Sequence, residues 1–311
     1  MLKRVVLVVL TILGCATSAH SQAWEGSRTM QTETLQHDGM TRSFHLYDPS
    51  EAPSQALVIM LHGGGGNGRG GAMMAGFNGL ADREGFIVVY PNGSGRLPDE
   101  TLTWNVRHCC GWSLHNDPDD VGFISKLIDR LIETHDVDPQ RVYVTGMSNG
   151  GMMSHRVAID LSVKIAAIAP VVGALFGDET MPAGPVAAMI VTGALDGVVP
   201  PEGGRVFKRQ DERTADRDFA PAIRQATFWG QANGCAKQKD LHYKNSEAMG
   251  DVIEFSDCRK GADVMYYLLR NNGHAWPGGR RGSERGDVPT QDMNASEAIW
   301  AFFKAHPKSP G

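Results

Sequence analysis

The sequence predicts a single α/β domain with a mostly parallel central sheet and helices on both faces. Three observations point there. Short unbroken apolar runs, rich in β-branched residues, recur along the chain, as strands buried on both faces require. Segments with apolar residues at helical spacing separate them. The 37 glycines among 311 residues follow no repeat, so they belong to turns and tight loops.

The elements follow in chain order. Residues 1–23 read as a secretory signal peptide: Lys3 and Arg4 precede a short apolar run, and small residues follow, with cleavage expected after Ser21 or Ala23. The run is too short for a bilayer of about 30 Å. Cys15 offers a second reading, processing as a lipoprotein. Residues 24–311 then form the folded domain. Polar alternation over 24–50 suggests edge strands of a hairpin. Apolar strands are expected at 56–61, 86–90, 142–145, 166–172, 187–192 and 264–269. Helices are expected at 121–135, 149–161, 221–232 and 294–303, with Asp119 or Asp120 capping the first and Pro221 opening the third.

Composition excludes several classes. A hydrophobic share of 41% is incompatible with a disordered chain. Thirty basic residues against 35 acidic give a net charge of −5, which argues against a nucleic-acid partner. Beyond the leader no apolar stretch is long enough for a membrane span. Export makes Cys109, Cys110, Cys235 and Cys258 candidates for disulfides. Cys235–Cys258 is favoured because it closes a local loop; Cys109 and Cys110 are then a vicinal bridge or two thiols. Zinc is not expected, since no further ligands flank them at the right spacing, and Asp119-Asp120 lacks a third carboxylate for a metal.

The chemistry is carried by strand ends, where open α/β sheets place their reactive groups. After the third apolar run stands Gly146-Met147-Ser148-Asn149-Gly150, a G-x-S-x-G turn between strand and helix. Such a turn lifts the serine above the sheet, with a helix N-terminus behind it. Ser148 is the expected nucleophile. A serine needs a base, and the chain order for this turn is serine, acid, histidine. Asp196 follows the 187–192 run and His274 follows the 264–269 run. Asp178 and Asp211 are weaker acids by position, and His242 and His306 weaker bases, because none directly follows an apolar strand. Oxyanion donors are expected from the amide of Asn149 and from the His62-Gly63-Gly64-Gly65-Gly66 loop, with Gly64 first and Gly63 second. His62 has a structural and a catalytic reading. The glycine loop is not a phosphate loop, as no Gly-Lys-Ser/Thr follows.

With LHGGGGN (61–67), the WN…CCGW stretch (104–112), DDVGFI (119–124), VTGMSNGGMM (144–153), AAIAPVVG (166–173) and GHAWPGG (273–279) in view, the chain resembles the poly(3-hydroxybutyrate) depolymerase-like esterases of the α/β-hydrolase superfamily from about residue 57 to 303. The resemblance implies Ser–His–Asp acyl transfer without a cofactor, on an ester-bearing small molecule or oligomer. It leaves feruloyl esters, acetylxylan and an anionic polymer such as poly(aspartate) as alternative substrates. Extracellular depolymerases of this kind often carry a linker and a substrate-binding domain; the chain ends shortly after the last predicted helix, which favours soluble substrates. A non-catalytic binding protein on the same fold is the rival from another class. Trp104, Trp112 and Trp276 are candidates for an aromatic wall around the substrate, with core packing as the alternative. Arg205, Lys208, Arg209, Arg280, Arg281 and Arg285 follow the two later site loops and would suit an anionic polymer, but interleaved acidic residues favour a solvated surface.

Overall fold

The computed structural model describes residues 29–49, 54–204, 216–241 and 250–309. The expected signal peptide, Cys15, Arg205, Lys208, Arg209, Asp211 and His242 lie outside these residues. Among the described residues one ten-stranded sheet is formed by β1 (Gln31–His37), β2 (Met40–Tyr47), β3 (Gln55–Leu61), β4 (Ile87–Pro91), β5 (Val137–Met147), β6 (Ala167–Val171), β7 (Ala187–Gly193), β8 (Lys237–Leu241), β9 (Asp251–Ser256) and β10 (Val264–Leu269). Their order is β1-β2-β4-β3-β5-β6-β7-β10-β9-β8. The six central strands, β4 through β10, are parallel. An antiparallel pair closes each side. The sheet is therefore mostly parallel, as the apolar runs required.

Every residue of β3, β4, β6 and β7 is buried. The two-residue alternation of a strand divides each run between two cores. In β3, Leu57, Ile59 and Leu61 join one cluster, and Ala56, Val58 and Met60 join the other. The first cluster includes Phe123, Ile124 and Leu127 of α4 (Asp120–His135), Met153 and Val157 of α5 (Asn149–Asp160), and Trp229 of α6 (Ile223–Ala232). The second is covered by α1 (Gly68–Ala75), α2 (Phe77–Glu84) and α7 (Ala295–Ala305), through Met74, Phe77, Leu80, Ile299 and Phe303. A short α3 (Gly111–Asn116) precedes α4. Helices α1 to α3 and strands β8 and β9 add to the expected elements.

Asp119 and Asp120 part company at the start of α4. Asp119 accepts the Gly122 amide at 2.9 Å and caps the helix. Asp120 turns inward, wholly buried, and meets Arg42 of β2 at 2.7 Å. Burial pushes the Asp120 carboxyl up, against the pull of the Arg42 guanidinium. Asp120 also accepts the Asn105 amide at 2.7 Å. The sulfurs of Cys235 and Cys258 lie at bonding distance, and so do those of the adjacent Cys109 and Cys110.

His155, on α5, ties two helices together. Its Nδ1 accepts the Trp229 indole N–H at 2.9 Å, so Nε2 carries the proton and donates to Gln225 Oε1 at 2.7 Å. Both partners lie on α6. Burial pulls the imidazole from 6.5 to about 4, with the Gln225 bond opposing. The folded state thus keeps His155 neutral where the unfolded chain protonates it. Its contribution to stability is complete above pH 6.5 and falls as the pH drops toward about 4. The slope is up to ~1.4 kcal/mol per pH unit. Replacing His155 with Gln is expected to flatten the pH dependence of the urea unfolding free energy across this window. An equal slope in both proteins would refute the neutral assignment.

Candidate active site

Strand β5 ends at Met147, and Ser148 turns the chain into α5 with φ 57° and ψ −123°. This region is costly for a residue with a side chain and persists where the surroundings enforce it. The enforcement is steric. A Cβ at Gly150 would overlap the carbonyl oxygens of Leu61 and His62, and one at Gly146 would overlap those of Gly150 and Leu61. Glycine at both places lets strand, helix and the loop after β3 touch. The Ser148 amide donates to Val171 O at 2.9 Å, which fixes the turn against β6.

The glycine loop after β3 lies against this turn. A Cβ at Gly63 would sit 3.7 Å from Ser148 Cβ, and one at Gly64 would sit 3.4 Å from Asn149 Cβ. The amides of Gly65 and Gly66 donate to Leu102 O and Gly63 O at 2.8 and 3.1 Å. His62 is buried. Its Nε2 accepts the Gly93 amide at 3.0 Å, so Nδ1 holds the proton and donates to Gly63 O at 2.8 Å. Burial pulls its pKa from 6.5 to about 4, opposed by the Gly63 hydrogen bond and aided by Arg42. Both ring nitrogens are committed, so of the two readings of His62 the structural one matches its contacts.

Asp196 follows β7 and His274 follows β10, whose strands are hydrogen-bonded neighbours in parallel register. Ser148, Asp196 and His274 therefore stand beyond the same edge of the sheet. Asp196 Oδ2 accepts from His274 Nδ1 at 2.8 Å, and Oδ1 accepts the amides of Val198 and Val199 at 2.8 and 2.7 Å. With Nδ1 donating, Nε2 of His274 is the nitrogen free to take a proton. Asp178 is engaged elsewhere, by His108 at 2.9 Å and Arg217 at 2.5 Å. His306 faces Phe302 O at 2.7 Å, on the C-terminal helix.

The tryptophans divide. Trp104 and Trp276 are 0% and 1% exposed, so their indoles offer no wall to a substrate. Trp276 packs edge-on against Phe77 and donates to Ser296 Oγ at 3.0 Å. Trp104 donates to His62 O at 3.0 Å. Packing and an internal partner for each indole N–H account for both. Trp112 is half-buried. Arg280, Arg281 and Arg285 are exposed, and Arg281 folds back onto Gly286 O at 2.6 Å.

Two side chains at the site escaped sequence reasoning. Asp287 accepts the His274 backbone amide at 2.7 Å and rests on Gly273. The Asn149 side chain grips the backbone of Trp104, accepting its amide at 2.7 Å and donating to its carbonyl at 3.1 Å. Neither carries a local signal: Asp287 lies in a charged stretch, and Asn149 fills the variable place after the serine.

Among known proteins, the chain is 28% identical over 262 residues to a putative esterase, NocK, of Nocardia uniformis subsp. tsuyamanensis, covering 78% of this chain and 72% of that one. It is 31% identical over 241 residues to a bifunctional acetylxylan esterase/xylanase, XynS20E, of Neocallimastix patriciarum, covering 76% of this chain and 31% of the relative. The chain thus spans most of the first and about a third of the second. An acetyl xylan esterase from Aspergillus awamori shares the fold, with a TM-score of 0.61 at 17% identity over 88% of this chain and 99% of that one. The sequence profile of the esterase PHB depolymerase family matches residues 42–200, which hold the glycine loop, the serine turn and Asp196. On that match, over half of its length, the chain belongs to the PHB depolymerase esterase family.

Proposed function

We propose that this protein is a secreted serine hydrolase that cleaves carboxylic esters through an acyl-enzyme on Ser148. The observation that carries the reading is the 2.8 Å bond between His274 Nδ1 and Asp196, at the same sheet edge as the strained Ser148 turn. His274 Nε2 takes the Ser148 proton as Oγ attacks the ester carbonyl, and then gives it to the departing alcohol. Water, activated by the same nitrogen, releases the acid. Asp196 holds the tautomer and stabilises the imidazolium. The oxyanion forms beside the amides of Asn149 and Gly64, with Gly63 as the alternative donor, all at the N-terminal end of α5. Two cysteine pairs at bonding distance fit an oxidising compartment and support secretion. Among the described residues no helix is long and apolar enough to cross a membrane.

The substrate is an ester-bearing small molecule or oligomer. The family name points to 3-hydroxybutyrate oligomers, and the relatives' names to acetylated xylan. Ranking both, with methyl ferulate and poly(aspartate), by kcat/KM tests the assignment. A highest value on poly(aspartate) would overturn the ester reading.

The mechanism is tested at Ser148 and Asp196. A fluorophosphonate is expected to label the native protein and to leave Ser148→Ala unlabelled. An unlabelled native protein would favour a binding protein on this fold. Asp196→Asn is expected to lower kcat by roughly 10³- to 10⁴-fold, since the imidazole loses its fixed tautomer. Asp287 gives a third test, because it holds the His274 backbone. Asp287→Ala should lower kcat/KM by roughly tenfold through misplacement of the imidazole, whereas Asp287→Asn keeps an acceptor and should stay within a few-fold of native. Equal effects of the two substitutions would refute a role through that hydrogen bond.

A further inference from the structure

The glycine loop offers the amide of Gly64, or alternatively that of Gly63, to a developing oxyanion, and a flexible loop would offer either poorly. A peptide unit is planar, so whatever grips its carbonyl also aims its amide. The His62 carbonyl and the Gly63 amide share one such plane; the Gly63 carbonyl and the Gly64 amide share the next. The first carbonyl accepts the Trp104 indole N–H at 3.0 Å. The second accepts His62 Nδ1–H at 2.8 Å and the Gly66 amide at 3.1 Å. Trp104 is in turn held by the Asn149 side chain through two hydrogen bonds. Asn149 is the residue whose own amide supplies the other donor. Just before Trp104, Leu102 pairs with Gly65 and Gly66, at 2.8 and 3.1 Å. The indole lies against the His62 ring, with centroids 5.1 Å apart.

We propose that Trp104 is a positioning residue for the oxyanion site, its buried indole N–H setting the His62–Gly63 peptide plane while its backbone is locked to Asn149, so that the donors on either side of the oxyanion are held as one unit. The inference rests on the serine-hydrolase reading above. A bond to a peptide carbonyl also polarises the amide of the same unit, so Trp104 strengthens Gly63 where Gly63 is the donor, and where Gly64 is the donor it fixes the plane from which the Gly64 unit continues. The indole touches no substrate atom. Its effect falls on the tetrahedral state, whose oxygen is charged, far more than on the bound ester, whose carbonyl is neutral.

The test is Trp104→Phe, which removes the indole N–H and keeps an aromatic ring in the core. Hydrolysis of p-nitrophenyl butyrate and inhibition by phenylboronic acid, which forms a tetrahedral adduct on serine, are measured beside thermal melting. The expected result is a fall in kcat of roughly tenfold or more, with KM within about twofold. The boronate inhibition constant should rise by the factor by which kcat/KM falls. A protein that melts like the native one and keeps its kcat overturns the inference. So does a lower kcat with unchanged boronate affinity, since the loss would then arise away from the tetrahedral oxygen. Should the Phe variant not fold, Asn149→Ala removes the grip on Trp104 and keeps the backbone amide. The same paired loss is expected there, and its absence overturns the inference. Native protein that neither turns over the ester nor takes the boronate fails the serine-hydrolase reading itself. An active native protein with an unmoved Trp104→Phe variant fails this inference alone.

Discussion

Backbone touching backbone, at the edge where β3 and β5 end, is the constraint on which the rest of the molecule depends. Leu61 and His62 carbonyls occupy the space that a methyl group at Gly150 would fill. That closeness forces Ser148 into its unusual conformation and brings the glycine loop beside it. It also sets how near α5 lies to the sheet, and through Met153 and Val157 it sets the packing of one core. The parallel central sheet supplies the rigid edge on which so close an approach is repeatable.

Three histidines show how burial and partners divide the work of one residue type. His62 and His155 each have both ring nitrogens engaged and lie deep enough that protonation is disfavoured near neutrality. They act as fixed, neutral connectors. His274 is only part-buried, and its Nδ1 is engaged by Asp196. Asp196 receives three hydrogen bonds, so its charge is well satisfied despite burial.

Much of this was legible in the sequence because the strands are buried on both faces and so appear as unbroken apolar runs. The run over 264–269 matches β10 residue for residue. The placement of Ser148, Asp196 and His274 at one end of the sheet was legible because each stands just past such a run. Other features had no such signature. Helices α1 and α2 are short and interrupted by glycine, so they read as loop. Strand β8 is KQKDL, an edge whose residues are mostly exposed and polar. Tryptophan content does not say which way an indole points, and Trp104 and Trp276 point inward. Nor can adjacent aspartates declare which of them caps a helix: Asp119 does, because Asp120 meets an arginine from a distant strand.

That arginine makes the amino-terminal hairpin a structural member of the site rather than an ornament on its margin. Arg42 neutralises Asp120; Asp120 receives the amide of Asn105; Asn105 adjoins Trp104, whose indole holds the glycine loop. Clipping the hairpin away would strand a carboxylate in the interior, a loss of about 3–5 kcal/mol. A proteolytic cut that released β1 and β2 would thus be felt behind the glycine loop, although Arg42 reaches that loop only through Asp120 and Asn105.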